Sequence, residues 1–362
     1  MSTICSDETI QDKVLAGERL SRDEGLRLYR EATLLELGEL AQAVRSRVNP
    51  EPVVTFVIDS NPNYTNVCIT DCVFCAFYRK PGSSEGYALT LEQVMEKVTH
   101  AVDLGATTVL LQGGHNPKLP LDYYVELVRE TRRRFPHVTP HFFTASEVTT
   151  MSEVSGLSIR DVLQQLKEAG QHTLPGGGAE ILSDRIRRRL ATKKGPAEAW
   201  LSVHRQAHEL GFKSTATMMF GHIEEPEDIL EHLDHIRNLQ DETHGFTAFV
   251  PWTFKPGNTP LQQHIKQHAG PTQYLRMIAF SRIYLDNFPH IQASWFSEGK
   301  KTGQIALHFG ADDFGGTLFE ENVHAATGFV NKTAVEEMVT LIRESGFQPA
   351  QRTTRYELLK KW

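Results

Sequence analysis

From Val53 onward, short apolar runs alternate with longer stretches whose apolar residues recur at helical spacing. That alternation is the pattern of repeated βα units around a parallel sheet. Eight runs read as strands: residues 53–58, 107–111, 140–143, 172–174, 215–220, 246–250, 291–295 and 304–309. Eight units predict an α/β fold, a (βα)8 barrel of the TIM type, over residues 51–330. The stretches between carry helix-start signals. Thr90 and Gln93 are spaced as a capping box ahead of Val94, Val98, Ala101 and Val102, and Pro226 is followed by Glu227 and Asp228, which suit a first helical turn.

Two segments flank the barrel. Residues 1–50 form a predicted helical lead-in, in which Ser21 and Glu24 cap a helix that lines up Leu26, Tyr29, Leu34, Leu37, Leu40, Ala41 and Val44. Residues 331–362 read as a short C-terminal helical appendage, with a helix over 334–345, then Gly346 and a basic tail.

Composition narrows the function classes. A chain of 362 residues, 40% of them apolar, can fill one barrel-sized core. Its net charge of -7 argues against a nucleic-acid partner, whose binding needs a basic face. No apolar run approaches the roughly eighteen residues of a membrane span. The start, Met1 to Glu8, lacks the basic and apolar regions of a signal peptide, and four cysteines in so long a chain suit a reducing compartment, so the expected location is cytoplasmic.

The cysteines carry the chemistry. Cys68, Cys72 and Cys75 stand close together, and the fourth, Cys5, is far upstream in a polar stretch. Three thiolates hold three irons of a cubane [4Fe-4S] cluster and leave the fourth iron open to a ligand, because full protein ligation takes four cysteines. The competing reading is a structural zinc site, which normally closes four Cys or His ligands. His100 and His115, the nearest downstream histidines, lack ligand-like spacing.

In a barrel of this type, function collects at the carboxyl ends of the strands. There the chain places the cysteine loop, Gln112-Gly113-Gly114-His115, Thr144-Ala145-Ser146-Glu147, Gly176-Gly177-Gly178-Ala179-Glu180, Gly221-His222-Ile223-Glu224 and Asp312-Asp313-Phe314-Gly315. The glycines are either simple turns or points where backbone approaches a ligand closely. His222 and Glu224 are either structural or proton-transfer residues. Asp312, Asp313, Glu320 and Glu321 are either a solvated turn or groups that bind sugar hydroxyls and accept a proton. Phe74 and Tyr78 either flank a cofactor or belong to the core, and Arg79 and Lys80 either bind a carboxylate or are surface charge.

The Cys-x3-Cys-x-aromatic-Cys spacing resembles the cluster loop of the radical S-adenosylmethionine (SAM) superfamily. Asn63-Tyr64-Thr65-Asn66-Val67-Cys68, Leu110-Leu111-Gln112-Gly113-Gly114, Pro175 to Glu180, Thr217 to His222 and Phe314-Gly315-Gly316-Thr317 resemble its group of menaquinone-pathway futalosine enzymes and deazaflavin synthases. Phe77-Tyr78-Arg79-Lys80, Thr247 to Phe254 and Gln292-Ala293-Ser294-Trp295 are similar to the cyclising futalosine branch. The resemblance implies a [4Fe-4S] cluster on Cys68, Cys72 and Cys75. SAM would be held by Phe74, Tyr78, Gln112, Gly113, Gly114, Ser146 and Glu180, and His222, Glu224 or Asp313 would take the ring proton. It implies dehypoxanthine futalosine as substrate and a flavodoxin or ferredoxin as electron donor; charge and hydropathy, as above, lead to no expected nucleic-acid or membrane partner. Aminofutalosine synthase and the tyrosine-using deazaflavin synthase component are the alternatives on this scaffold, and a non-enzymatic zinc protein is the alternative of a different class.

Overall fold

The computed structural model describes residues 9–265 and 268–362; Cys5 lies outside them. Three helices lead in: α1 (Ile10–Ala16), α2 (Arg22–Glu31) and α3 (Leu34–Val48). Each opens on a capping box, Thr9 with Asp12, Ser21 with Glu24 and Thr33 with Glu36, which satisfies backbone N–H groups at its start. The buried face of α3, formed by Leu37, Leu40, Ala41 and Val44, joins the core of the main domain.

The strands are β1 (Val53–Val57), β2 (Asp59–Ser60), β3 (Thr108–Leu111), β4 (Thr139–Phe142), β5 (Thr173–Leu174), β6 (Lys213–Phe220), β7 (Phe246–Thr253), β8 (His290–Ile291), β9 (Asp313–Gly316), β10 (Gln348–Arg352) and β11 (Leu358–Lys361). β1 and β2 are successive parts of one barrel position, so β1 to β9 fill eight positions in chain order. The ladders are parallel and fall into three arcs: β9-β1-β10, β2-β3-β4 and β5-β6-β7-β8. At the seam between β4 and β5, the Gln171 amide donates to the carbonyls of Phe142 (2.7 Å) and Thr173 (3.1 Å). The seam between β8 and β9 is carried by the Asp312 N–H on Ile291 O (3.1 Å) and the Ala293 N–H on Asp313 O (2.7 Å). The fold is that of the TIM-type barrel, with ladders that do not run unbroken around it.

Two strand expectations change. Residues 304–309 are not the eighth strand: Lys300–Ala306 is a helix, and β9 follows it. Ala306 and Leu307 are both buried while Ile305 is 48% exposed, which breaks the strict alternation of a strand. The seventh strand shortens to β8 because a helix already starts at Trp295, whose indole N–H is drawn to Gly316 O (3.1 Å).

The C-terminal segment contains the expected helix, Val335–Glu344, and then β10 runs parallel to β1, with Val53 opposite Gln348 and Phe56 opposite Gln351. β11 turns back antiparallel on β10. After β10 the chain reaches the barrel interior, where the Thr354 hydroxyl meets that of Thr108 (2.7 Å). The tail therefore closes the amino-terminal end of the barrel.

Candidate active site

After β2 the chain crosses the barrel mouth as a long loop before the helix Leu91–Asp103. Backbone hydrogen bonds fix this loop: Cys68 N–H to Arg79 O (2.9 Å), Arg79 N–H to Asn66 O (2.7 Å), Gly114 N–H to Thr65 O (2.9 Å) and Ile69 N–H to His115 O (3.2 Å). The Arg79 guanidinium donates to the carbonyls of Ala76 (3.1 Å) and Tyr78 (2.9 Å) and pairs with Glu85, so this cation braces the loop. Cys68 and Cys72 are buried, Cys75 is half-buried, and all three are free thiols. The Thr70 hydroxyl lies 2.9 Å from Cys68 Sγ and 3.5 Å from Cys72 Sγ. Burial pushes the Cys72 thiol up to about 11, with Lys194 pulling it the other way, and raises Cys75 as well. Iron ligation removes that proton outright.

The three cysteines line one cavity of about 180 Å³, together with Phe74, Tyr78, Gln112, Gly113, Gly114 and Glu180. The sequence-predicted cluster and cofactor residues thus meet at one place, Ser146 excepted. Gly114 is required sterically: a Cβ there would sit 2.2 Å from Val67 O and 3.0 Å from Cys68 Cβ. Glu147 fixes the adjacent glycine, accepting from Gly113 N–H (2.9 Å), from the Tyr64 hydroxyl (2.6 Å) and from Thr144 (2.7 Å). Its carboxyl is raised by burial, against those donors. Glu180, in a left-handed conformation with φ 45°, pairs with Lys194 at 2.7 Å, and both are nearly buried. Lys194 also lies over the Phe74 ring, 5.5 Å from its centroid. Among the described residues no three His, Cys, Asp or Glu side chains converge on a single ion. The thiol set, the close glycine backbone and the carboxylate–ammonium pair fit a cluster with an amino-acid-bearing cofactor.

A second cavity, of about 220 Å³, fills the barrel interior. It shares Gln112, Gly177, Thr217, Trp252 and Val323 with the first, so the two adjoin and together make up one chamber at the barrel mouth. Its far end is polar, lined by Asp59, His141, Arg352, Thr354 and Tyr356. Burial lowers His141 to about 3, so it is neutral, and its Nδ1 is held by the Thr173 hydroxyl (2.9 Å). The Tyr356 ring, at φ 67°, is sandwiched between His290 (3.8 Å between ring centroids) and the Arg352 guanidinium (3.9 Å). Three buried polar atoms of cavity-lining residues have no hydrogen-bond partner among the described residues: Asn61 Oδ1, His324 Nδ1 and the Tyr356 hydroxyl. Such atoms cost about 1–3 kcal/mol each when left unpaired.

The expected acid–base residues are not in this chamber. The His222 imidazole is fully buried, with Nε2 3.0 Å from Met219 O, and Glu224 accepts from the N–H groups of Gly221 and His222. Burial pushes the Glu224 carboxyl up, but the His222 ring and those N–H groups outweigh it and hold the carboxyl low. The pair folds the loop after β6 and lines neither cavity. Asp313 was expected at the mouth. Its register opposite Thr55, early in β1, places it at the other end of the barrel, where it accepts from Arg352, Thr55 (2.6 Å) and Gly315 N–H (2.9 Å). Asp312 is likewise buried against Arg282 and His290. Ser146 is half-buried beside Thr144 (3.5 Å) and beneath Gly178, whose missing side chain makes room for its hydroxyl; it is not among the cavity-lining residues.

Sequence reasoning passed over Lys194, Asp59 and the Arg352–Tyr356 tail, and gave Glu147 no role beyond its place after the third strand. Two signals were available. Thr144 and Glu147 have capping-box spacing, and the polar run Asp59-Ser60-Asn61 directly follows the first strand.

Comparison with known proteins agrees with this geometry. The model of the radical SAM superfamily matches residues 62–236, and that of the CofH/MqnC C-terminal region matches residues 243–361. A cyclic dehypoxanthine futalosine synthase of Halalkalibacterium halodurans is 42% identical over 98% of this chain and 95% of its own. A 5-amino-6-(D-ribitylamino)uracil–L-tyrosine 4-hydroxyphenyl transferase of Methanopyrus kandleri is 43% identical over 85% of each chain. Among solved structures, methylornithine synthase superposes with a TM-score of 0.74 at 18% identity, covering 94% of this chain and 97% of its own, a likeness of fold. No helix among the described residues is long and apolar enough to cross a membrane.

Proposed function

Because the chain belongs to the radical SAM superfamily, we propose that it is a radical SAM cyclase that converts dehypoxanthine futalosine to its cyclic product in the futalosine route to menaquinone. Cys68, Cys72 and Cys75 would hold the cluster, and Gly113, Gly114, Glu180, Phe74 and Tyr78 would receive SAM. Bound there, the pair supplies a 5'-deoxyadenosyl radical, which removes the C4' hydrogen of the substrate ribose. The carbon radical adds to the substrate's own carboxyphenyl ring, and loss of an electron and a proton restores aromaticity.

The observation that carries this reading is the single chamber. One substrate that closes on itself needs a space directly beside the cofactor, and Gln112, Gly177, Thr217, Trp252 and Val323 line both cavities. The chain's own contribution is positioning: proximity of ring and sugar in a dry barrel supplies much of the gain in an intramolecular addition. A flavodoxin or ferredoxin would deliver the electron, in the reducing setting of the cytoplasm.

The test is anaerobic reconstitution followed by mass spectrometry of products formed with SAM and dehypoxanthine futalosine. A product lighter by two hydrogens, absent from a Cys68→Ala variant, supports the proposal. Formation of 5'-deoxyadenosine with the substrate untouched rejects this substrate and turns attention to the aminofutalosine and tyrosine-transferring reactions.

A further inference from the structure

The proton lost from the substrate ring needs an acceptor inside the chamber. The residues expected to provide one, His222, Glu224 and Asp313, lie outside it. Four titratable bases line the barrel cavity, Asp59, His141, Glu321 and His324; at the cluster end Glu147 accepts from three donors, Glu180 is paired with Lys194, and burial holds His115 near 3. Glu321 caps the helix Asn322–Ala325, accepting from the N–H groups of Val323 (3.0 Å) and His324 (2.8 Å), so its oxygens are occupied. His141 and His324 are held near 3 by burial, which makes them weak bases.

Burial raises the Glu321 carboxyl as it does that of Asp59, but Asp59 accepts one backbone N–H rather than two, and it is a stronger base than either histidine. It lies at the junction of β1 and β2, is 4% exposed and lines the cavity. Its Oδ1 accepts from Leu318 N–H (2.8 Å). The space its carboxylate occupies exists because residue 316 is glycine: a Cβ there would lie 2.1 Å from Oδ2 and 2.2 Å from Oδ1. A glycine that gives way to a buried acid at the wall of a ligand cavity is a costly arrangement without a use for that acid. The groups that act on it from the packed elements are Arg352 on β10, Asp313 on β9 and the Thr317 hydroxyl beyond β9. Arg352 is already held at two positions by Asp313, so among the described residues Asp59 has no ion-pair partner of its own. Burial pushes its carboxyl up to about 7, where an acid is a competent base near neutral pH.

Resting on the cyclase reading, we propose that Asp59 is the catalytic residue that accepts the ring proton after the sugar radical has added to the aromatic ring. The ring C–H bond breaks and its proton forms an O–H bond with the Asp59 carboxylate. The electron pair of the broken bond enters the ring, one electron leaves to a one-electron acceptor of the iron–sulfur class, and the aromatic sextet returns.

The test compares wild type, Asp59→Asn and Asp59→Glu. It follows 5'-deoxyadenosine, cyclised product and calorimetric binding of dehypoxanthine futalosine to protein without cluster. Asparagine keeps an oxygen for Leu318 N–H. The expected result for Asp59→Asn is intact substrate binding, 5'-deoxyadenosine formed at a near wild-type rate, and cyclised product lower by about 100-fold or more. The wild-type rise in product formation through about pH 7 disappears in this variant, and Asp59→Glu restores part of the product. Cyclised product from Asp59→Asn at the wild-type rate and pH profile overturns the proposal. So does loss of binding together with product, which would make Asp59 a holding group. If wild type itself makes 5'-deoxyadenosine but no cyclised product, the substrate reading has failed and takes this proposal with it.

Discussion

The two ends of the chamber are built on opposite principles. At the cluster end nearly every polar group is already paired: Glu147 with Tyr64, Thr144 and Gly113, Glu180 with Lys194, and Arg79 with its own loop. At the barrel end the carboxyl of Asp59 has no ion-pair partner among the described residues, and Asn61, Tyr356 and His324 carry buried atoms without partners there. The first end is rigid before anything binds, as suits a cofactor that must be held in one pose. The second carries polar atoms left unpaired in its wall, which cost stability and leave that end less firmly fixed by its own contacts.

The sharpest way to break this contrast is at the tail. Arg352 and Asp313 form a buried ion pair that joins β10 to β9 below the cavity. Arg352→Met leaves a buried carboxylate uncompensated and is expected to cost roughly 3–5 kcal/mol of stability in denaturant titrations. Lys194→Met provides the comparison at the cluster end, and the contrast predicts that it loosens SAM binding while the barrel end still takes substrate.

The next effect concerns pH. The folded-state carboxyl of Asp59 is raised from 3.8 to about 7, chiefly by burial. Between those values the unfolded chain gives up this proton while the folded chain keeps it, so stability falls as pH rises from about 4 to 7 and then levels off. Asp59→Asn removes that dependence. The variant is expected to gain on wild type by up to about 4 kcal/mol at pH 8 and much less at pH 4, read from melting curves at both pH values. The smallest effect is at Tyr356. Tyr356→Phe deletes a buried unpaired hydroxyl, so the protein is expected to gain about 1 kcal/mol in melting curves with substrate affinity unchanged.

The contrast between the two ends also explains what could be read from the chain. The cluster loop packs its ligands into one short segment, and Gln112-Gly113-Gly114 and Glu180 follow directly on strands, so order along the chain translates into position at the mouth. The barrel end is assembled from Asp59, His141 and a tail almost three hundred residues further on. Only pairing of β10 with β1 brings that tail inward, and a short C-terminal strand carries no local mark of its partner. The same ambiguity misplaced the eighth strand, since the apolar run 304–309 reads equally as a strand or as a buried helix turn until its burial is known. His222 and Glu224 were placed correctly at the mouth, but nothing local showed that their side chains close on their own loop.

The central claim is that a radical generated at the cluster end acts on a substrate seated at the barrel end of the same chamber. Dehypoxanthine futalosine carrying deuterium at C4' tests it most directly, with the released 5'-deoxyadenosine analysed by mass spectrometry. Deuterium in the 5'-deoxyadenosine is the predicted result. Unlabelled 5'-deoxyadenosine, with the deuterium still on the sugar, would contradict it.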